Sequence, residues 1–200
     1  MNDYDYLINQ LNLLIGFLDV SEQDVYDQIK HHDQFGLGQT IEQLYDNRYE
    51  NYSNHISTSA TLLGFAHIED FITKCIARFL VSHPHKNDKK VALRIIKEKG
   101  DDLITYLAVE QSRELKFSDK IKFIEKNIPG ISLELISNIK LMNDVRNCIM
   151  HNNGIADSRI VPKYIEGQKI TLTAWEVNEY GVKARKFATE LWEKVQPRVI

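Results

Sequence analysis

The chain has 200 residues, 43% of them hydrophobic and 26% charged, enough to bury one core and too ordinary in charge for wholesale disorder. A net charge of −3 excludes a protein that is basic as a whole, and no run approaches the ~20 apolar residues that span a bilayer. Two cysteines, Cys75 and Cys148, supply neither a disulfide framework nor a four-cysteine zinc site.

The start, Met1-Asn2-Asp3-Tyr4, is acidic and carries no signal-peptide pattern, so a cytoplasmic protein is expected. Residues 4–18 place Leu7, Leu11, Leu14, Ile15 and Leu18 three and four apart, which predicts an amphipathic helix. Ser21 followed by Asp24 reads as a second helix start, with that helix running to Lys30. His31-His32-Asp33-Gln34-Phe35-Gly36-Leu37-Gly38 reads as a loop, so residues 1–39 form an N-terminal helical extension. From Thr40 to Ser82 there is no proline and one glycine, Gly64. This predicts one long helix or two nearly continuous ones, broken near Ser53-Asn54 and stopped by Pro84.

Shorter helices are expected over 87–98 and 101–110. Ser118 is placed as the cap of the next, which ends before Pro129-Gly130. Ser132 opens another that runs to Asn152-Asn153-Gly154. Arg159-Ile160-Val161 and Lys169-Ile170-Thr171-Leu172-Thr173 flank Glu166-Gly167 and predict a small β-hairpin. A helix over 176–195, carrying Val182, Phe187, Leu191 and Trp192, closes the chain. The expected class is all-α in one domain over 1–200, with a core at 40–154 and a C-terminal β-hairpin plus helix at 155–200.

Charge is unevenly spread along these elements. Residues 1–55 carry ten acids against two bases, and residues 83–126 eleven bases against eight acids. A local basic patch is therefore compatible with the negative total, although a run such as Lys86, Lys89, Lys90, Arg94, Lys97 and Lys99 reads equally well as a solvated helix face.

The helix expected over 133–152 carries the most information. At ~100° per residue, Leu135, Ile139, Met142, Val145 and Ile149 form one apolar stripe. Arg146 falls inside that sector, where a guanidinium must be paired or reach a wet cleft. Asn143, Asn147 and His151 form an adjoining polar row, each four residues after the last. A structural arginine beside a helix terminus decorated with histidine is the plain alternative.

Arg146-Asn147-Cys148-Ile149-Met150-His151 resembles the hallmark of the HEPN family: an arginine, a polar residue, and a histidine near a helix end. The continuation Asn152-Asn153-Gly154 is similar too. Upstream, Ala60-Thr61-Leu62-Leu63-Gly64-Phe65-Ala66-His67-Ile68-Glu69-Asp70-Phe71 resembles the family's long early helix, and Phe117-Ser118-Asp119-Lys120-Ile121 its lysine-bearing helix start. The resemblance covers roughly residues 56–154. It implies an antiparallel helical bundle that forms a homodimer, with two copies of the motif meeting in a cleft. It also implies an endoribonuclease without metal or cofactor, in a toxin–antitoxin or anti-phage role, with an antitoxin or regulatory protein as a further partner. Arg146, Asn147 and His151 would be catalytic, with Glu69 and Asn143 in support. The alternative is a non-catalytic HEPN-like scaffold that binds a nucleotide or a protein.

The chemistry suits these residue types. The 2′-OH of RNA can attack its own phosphodiester if a base takes the proton and a cation meets the extra charge. Histidine exchanges protons near neutral pH, and arginine grips phosphoryl oxygens bidentately.

Other clusters carry less. His83-Pro84-His85 and His31-His32-Asp33 lack a partner set for a metal, and no Lys-Ser/Thr follows Gly36-Leu37-Gly38 as a phosphate loop requires. Tyr45, Tyr49 and Tyr52, near Arg48, form a stripe suited to packing more than to base stacking. A nucleophilic role for Cys148 would need a base and a lowered pKa, and the residue points away from Asn143 and Asn147.

Overall fold

The computed structural model describes residues 2–33, 50–83, 86, 103–161 and 163–196. The protein is all-helical. Among the described residues the helices are α1 (Asp3–Asp33), α2 (Glu50–Ser82), α3 (Leu103–Glu114), α4 (Phe117–Asn127), α5 (Leu133–His151) and α6 (Ala174–Val195). Among these residues no helix is long and apolar enough to cross a membrane.

Several elements differ from expectation. Helix α1 is continuous where two helices and a loop from His31 were expected. A single serine at position 21 costs a helix only about 0.5 kcal/mol, and no glycine or proline occurs between Gly16 and Gly36 to stop it. Helix α2 likewise runs unbroken through Ser53-Asn54. Helix α4 starts after Lys116 with no side-chain cap. The amides of Asp119 and Lys120 both donate to the Lys116 carbonyl at 2.9 Å, so Ser118 lies inside the first turn and caps nothing. The helix expected over 87–98, the loop residues 34–38 and the tyrosines at 45 and 49 lie outside the described residues.

The expected β-hairpin is not seen. Arg159 and Ile160 lie in a 3-10 turn, Ser158–Ile160, because the Asp157 side chain accepts the Arg159 amide and turns the chain. Opposite, the Leu172 amide donates to Asn54 Oδ1 at 2.9 Å, which removes it from any ladder. One isolated antiparallel bridge, Ile155 to Lys169, is what remains.

The chain forms two compact units, and α1, α2, α5 and α6 each give residues to both. The first comprises Met1–Leu7, Ala66–Lys140 and Ala184–Ile200. Its core is built on Ile68, Ile72 and Ile76 of α2, Ile121 and Ile124 of α4, Ile139 of α5, and Phe187 and Leu191 of α6, all essentially without exposure. The start of α1 is pinned in this unit. Asp3 pairs with Arg78 at 2.6 Å. The Tyr4 ring stacks on Trp192 at 6.3 Å, and the Arg78 guanidinium lies 5.1 Å from that indole.

The second unit comprises Ile8–Phe65 and Leu141–Lys183. Leu11, Leu18, Phe65, Met142, Val145, Ile160, Ile170 and Leu172 are among its buried apolar residues. Expected stripe members Leu7, Leu11 and Leu18 are buried, with Leu14 and Ile15 half-buried. In α6 the buried stripe is Val177, Tyr180, Ala184, Phe187, Ala188, Leu191 and Val195, whereas Val182 is exposed. That helix starts two residues earlier than expected, at a reciprocal cap in which Glu176 N–H donates to Thr173 Oγ1 and Thr173 N–H to Glu176 Oε2.

Candidate active site

The sequence motif occupies the last turns of α5, in the second unit. Its apolar neighbours Met142, Val145 and Cys148 are buried, which fixes the rotation of this stretch about its axis. The helix ends as the sequence signals. Asn153 and Gly154 adopt left-handed φ values of 52° and 74°, and the amides of Asn152 and Gly154 both donate to the Cys148 carbonyl, at 3.1 and 3.0 Å. A glycine fits that conformation at no steric cost, and asparagine tolerates it better than most residues.

Arg146 is half-buried. Its Nη1 donates to Asn147 Oδ1 at 3.0 Å, and its guanidinium carbon lies 5.7 Å from the centroid of the buried Phe65 ring. Both contacts leave its charge unneutralised: an amide oxygen and a ring face orient a guanidinium without cancelling it. Among the residues whose side chains are described, which leaves out those of 19–33 and 50–53, no carboxylate pairs with Arg146. Asn147, which accepts the Nη1 hydrogen bond, is half-buried. His151, the last residue of α5, is exposed to solvent.

Asn143 is half-buried one turn earlier. Burial pushes the carboxyl of the neighbouring Asp144 above its ordinary value, against the pull of Arg159 and of the Asn143 side chain. Cys148 is buried, and burial raises its thiol, which does not suit a nucleophile.

Glu69 belongs to the first unit. There its Oε1 accepts from Lys120 Nζ at 3.0 Å. The Lys120 side chain is 7% exposed and that of Glu69 32%, so this is a nearly buried ammonium held by a carboxylate at the surface edge. The pair joins two of the sequence segments singled out above. Sequence reasoning missed it, although Lys120 directly precedes Ile121 and sits one turn before Ile124, on the buried side of α4.

A second cluster was also missed. Arg159 makes a bidentate pair with Asp157, with Nε donating to Oδ1 at 3.0 Å and Nη2 to Oδ2 at 2.6 Å. Its Nη1 lies 4.0 Å from Asp144 Oδ1. Arg159 holds the Asp157 carboxyl well below the usual carboxylate range. The residue types gave a signal, Asp157-Ser158-Arg159 shortly after the motif, but Arg159 falls in the strand expected over Arg159-Ile160-Val161.

Among the described residues no group of three or more His, Cys, Asp or Glu side chains is arranged to hold a metal. His83 stacks on Phe79 at 4.2 Å, with its Nδ1 3.0 Å from the Phe79 carbonyl oxygen. Comparison with models of protein families, with curated proteins and with solved structures gives no match for this chain.

Proposed function

We propose that this protein is an endoribonuclease of HEPN type that cleaves RNA without a metal, using Arg146, Asn147 and His151. The observation that carries the reading is the geometry of Arg146: a half-buried guanidinium whose Nη1 donates to Asn147 Oδ1 and whose carbon lies 5.7 Å from the Phe65 ring centroid. A guanidinium oriented by neutral groups keeps its positive charge for an anion. The oxygens of a phosphodiester match its fork of N–H donors.

In the proposed reaction the 2′-OH attacks the adjacent phosphorus as a base removes its proton. The bond to the 5′-oxygen breaks, that oxygen takes up a proton, and the products are a 2′,3′-cyclic phosphate and a 5′-hydroxyl. Arg146 stabilises the charge gathering on the phosphoryl oxygens. An imidazole takes and gives protons in neutral water, which suits His151 to the proton transfers. Asn147 keeps the guanidinium in place, and Asn143 supports the same helix face.

Five helical steps of ~100° separate Arg146 from His151 by about 140° around the axis and about 7.5 Å along it. One helix aims the two groups apart, so the reading includes a homodimer, an antiparallel helical bundle whose two α5 ends together supply one site. A role in defence against phage, or as a toxin held by an antitoxin, is the matching physiology. The test is expression and purification of the wild type beside Arg146→Ala. A wild type that arrests growth and degrades RNA in excess EDTA, beside a benign Arg146→Ala, supports the reading. Equal, harmless behaviour of both removes it in favour of a binding scaffold.

A further inference from the structure

Downstream of the motif, the chain is fastened back onto α5 by a set of side chains with no place in the reaction above. We propose that the Asp157–Arg159 pair is a positioning clamp for His151, gripping α5 through Asp144 so that the terminal turn stays wound and the imidazole keeps a fixed direction. The proposal rests on the ribonuclease reading for its catalytic consequence, though not for its geometry.

The geometry has three parts. First, Asp144, Cys148 and His151 are spaced four and three residues apart and so share one stripe of α5. Arg159 meets the first member of that stripe, its Nη1 lying 4.0 Å from Asp144 Oδ1. Second, the pair is held firmly at its own end. Both oxygens of Asp157 are engaged by the guanidinium, Oδ1 also accepts the Arg159 amide at 3.0 Å, and Ile160 beside them is fully buried. Third, the segment between is stitched by the backbone. The Cys148 carbonyl accepts from Asn152 and Gly154, and the Ile170 amide donates to the Gly154 carbonyl at 2.7 Å. His151 lies between these fastenings, on the last turn of a helix, where fraying is otherwise expected.

Helix ends fray because their last carbonyls lack partners. A clamp that reaches back from position 159 to position 144, with the Gly154 carbonyl held by the Ile170 amide, ties the chain on either side of His151. A surface pair of this kind contributes little stability on its own; its effect here is on direction, where a displacement of about 1 Å can cost a hundredfold in rate.

The test uses the full chain with Asp157→Asn and Arg159→Lys. Asparagine at 157 retains the oxygen that caps the 3-10 turn, and lysine at 159 retains charge without the fork, so both variants keep the fold, checked by circular dichroism. RNA cleavage kinetics are measured beside the proton resonances of the His151 ring, assigned by comparison with His151→Gln. The expected result is a fall in kcat of about ten- to a hundredfold with KM within about twofold, together with broadening or displacement of the His151 resonances while those of His55 and His67 stay in place. Unchanged His151 resonances overturn the clamp, whatever the kinetics do. If the wild type cleaves no RNA, the ribonuclease reading fails by itself and the resonances alone decide the positioning role.

Discussion

Replacing Glu69 by glutamine separates two roles that this carboxylate could have. In the first unit it holds Lys120, whose side chain is 7% exposed, at 3.0 Å. Removing the negative charge leaves an ammonium nearly buried and unpaired. Broken buried pairs cost about 3–5 kcal/mol, and the lower end applies because Glu69 itself is partly hydrated. A loss of about 3 kcal/mol corresponds to a fall in Tm of roughly 6–12 °C for a chain of this size. Lys120→Met is the informative counterpart. It places an apolar side chain beside the buried Ile121 and Ile124, and it leaves a carboxylate that is 32% exposed and can stay hydrated. Its cost is within about 1 kcal/mol. Thermal unfolding followed by circular dichroism reads the asymmetry, and RNA cleavage measured well below the lowered Tm reads the site. The expected result is a large loss for Glu69→Gln, a small one for Lys120→Met, and kcat retained in both. A Glu69→Gln protein as stable as wild type but a hundredfold slower would refute the reasoning and move this carboxylate into the reaction.

Two further outcomes follow from the end of α5. Burial holds the Asp144 carboxyl above its ordinary range, so ionising it costs more in the folded chain than in the unfolded one. That cost is complete above the raised folded value and absent below the ordinary carboxylate range. Asp144→Asn therefore raises Tm at neutral pH and leaves it unchanged near about pH 3, and a loss at neutral pH would contradict this. Asn153, with φ of 52°, is in the left-handed region: Asn153→Gly is neutral or stabilising by about 0.5 kcal/mol, and Asn153→Val costs about 1–2 kcal/mol in denaturant unfolding, because a β-branched side chain clashes there.

What the sequence disclosed and what it hid divide along physical lines. Burial of Leu135, Ile139, Met142 and Val145 follows from a 3.6-residue period, because a helix face repeats whatever lies around it. The stop at Asn152-Asn153-Gly154 was legible because left-handed backbone is restricted to few residue types. The placement of Arg146 in an apolar sector forecast a guanidinium needing special company, and its company turned out to be Asn147 and Phe65. Long-range partners were not legible. That Leu172 would bond Asn54, or that Lys120 would find Glu69, depends on which helices pack together, and no local pattern encodes it. The hairpin failed for a related reason. Alternating β-formers at 159–161 and 169–173 satisfy strand propensity, but the Asp157 side chain offers the backbone a tighter turn three residues long. Ser21 and Ser118 illustrate the reverse error, since a serine that can cap a helix is also tolerated inside one.

The most direct measurement compares two oligonucleotides of one sequence, a ribonucleotide strand and its all-deoxy counterpart, incubated with the purified chain in excess EDTA and followed by analysis of the new ends. Only the ribonucleotide strand is expected to be cut, its fragments ending in 2′,3′-cyclic phosphate and 5′-hydroxyl, and Arg146→Ala and His151→Ala are expected to leave it whole. Cutting of the all-deoxy strand, full activity in His151→Ala, or an intact ribonucleotide strand with the wild type would contradict the ribonuclease reading.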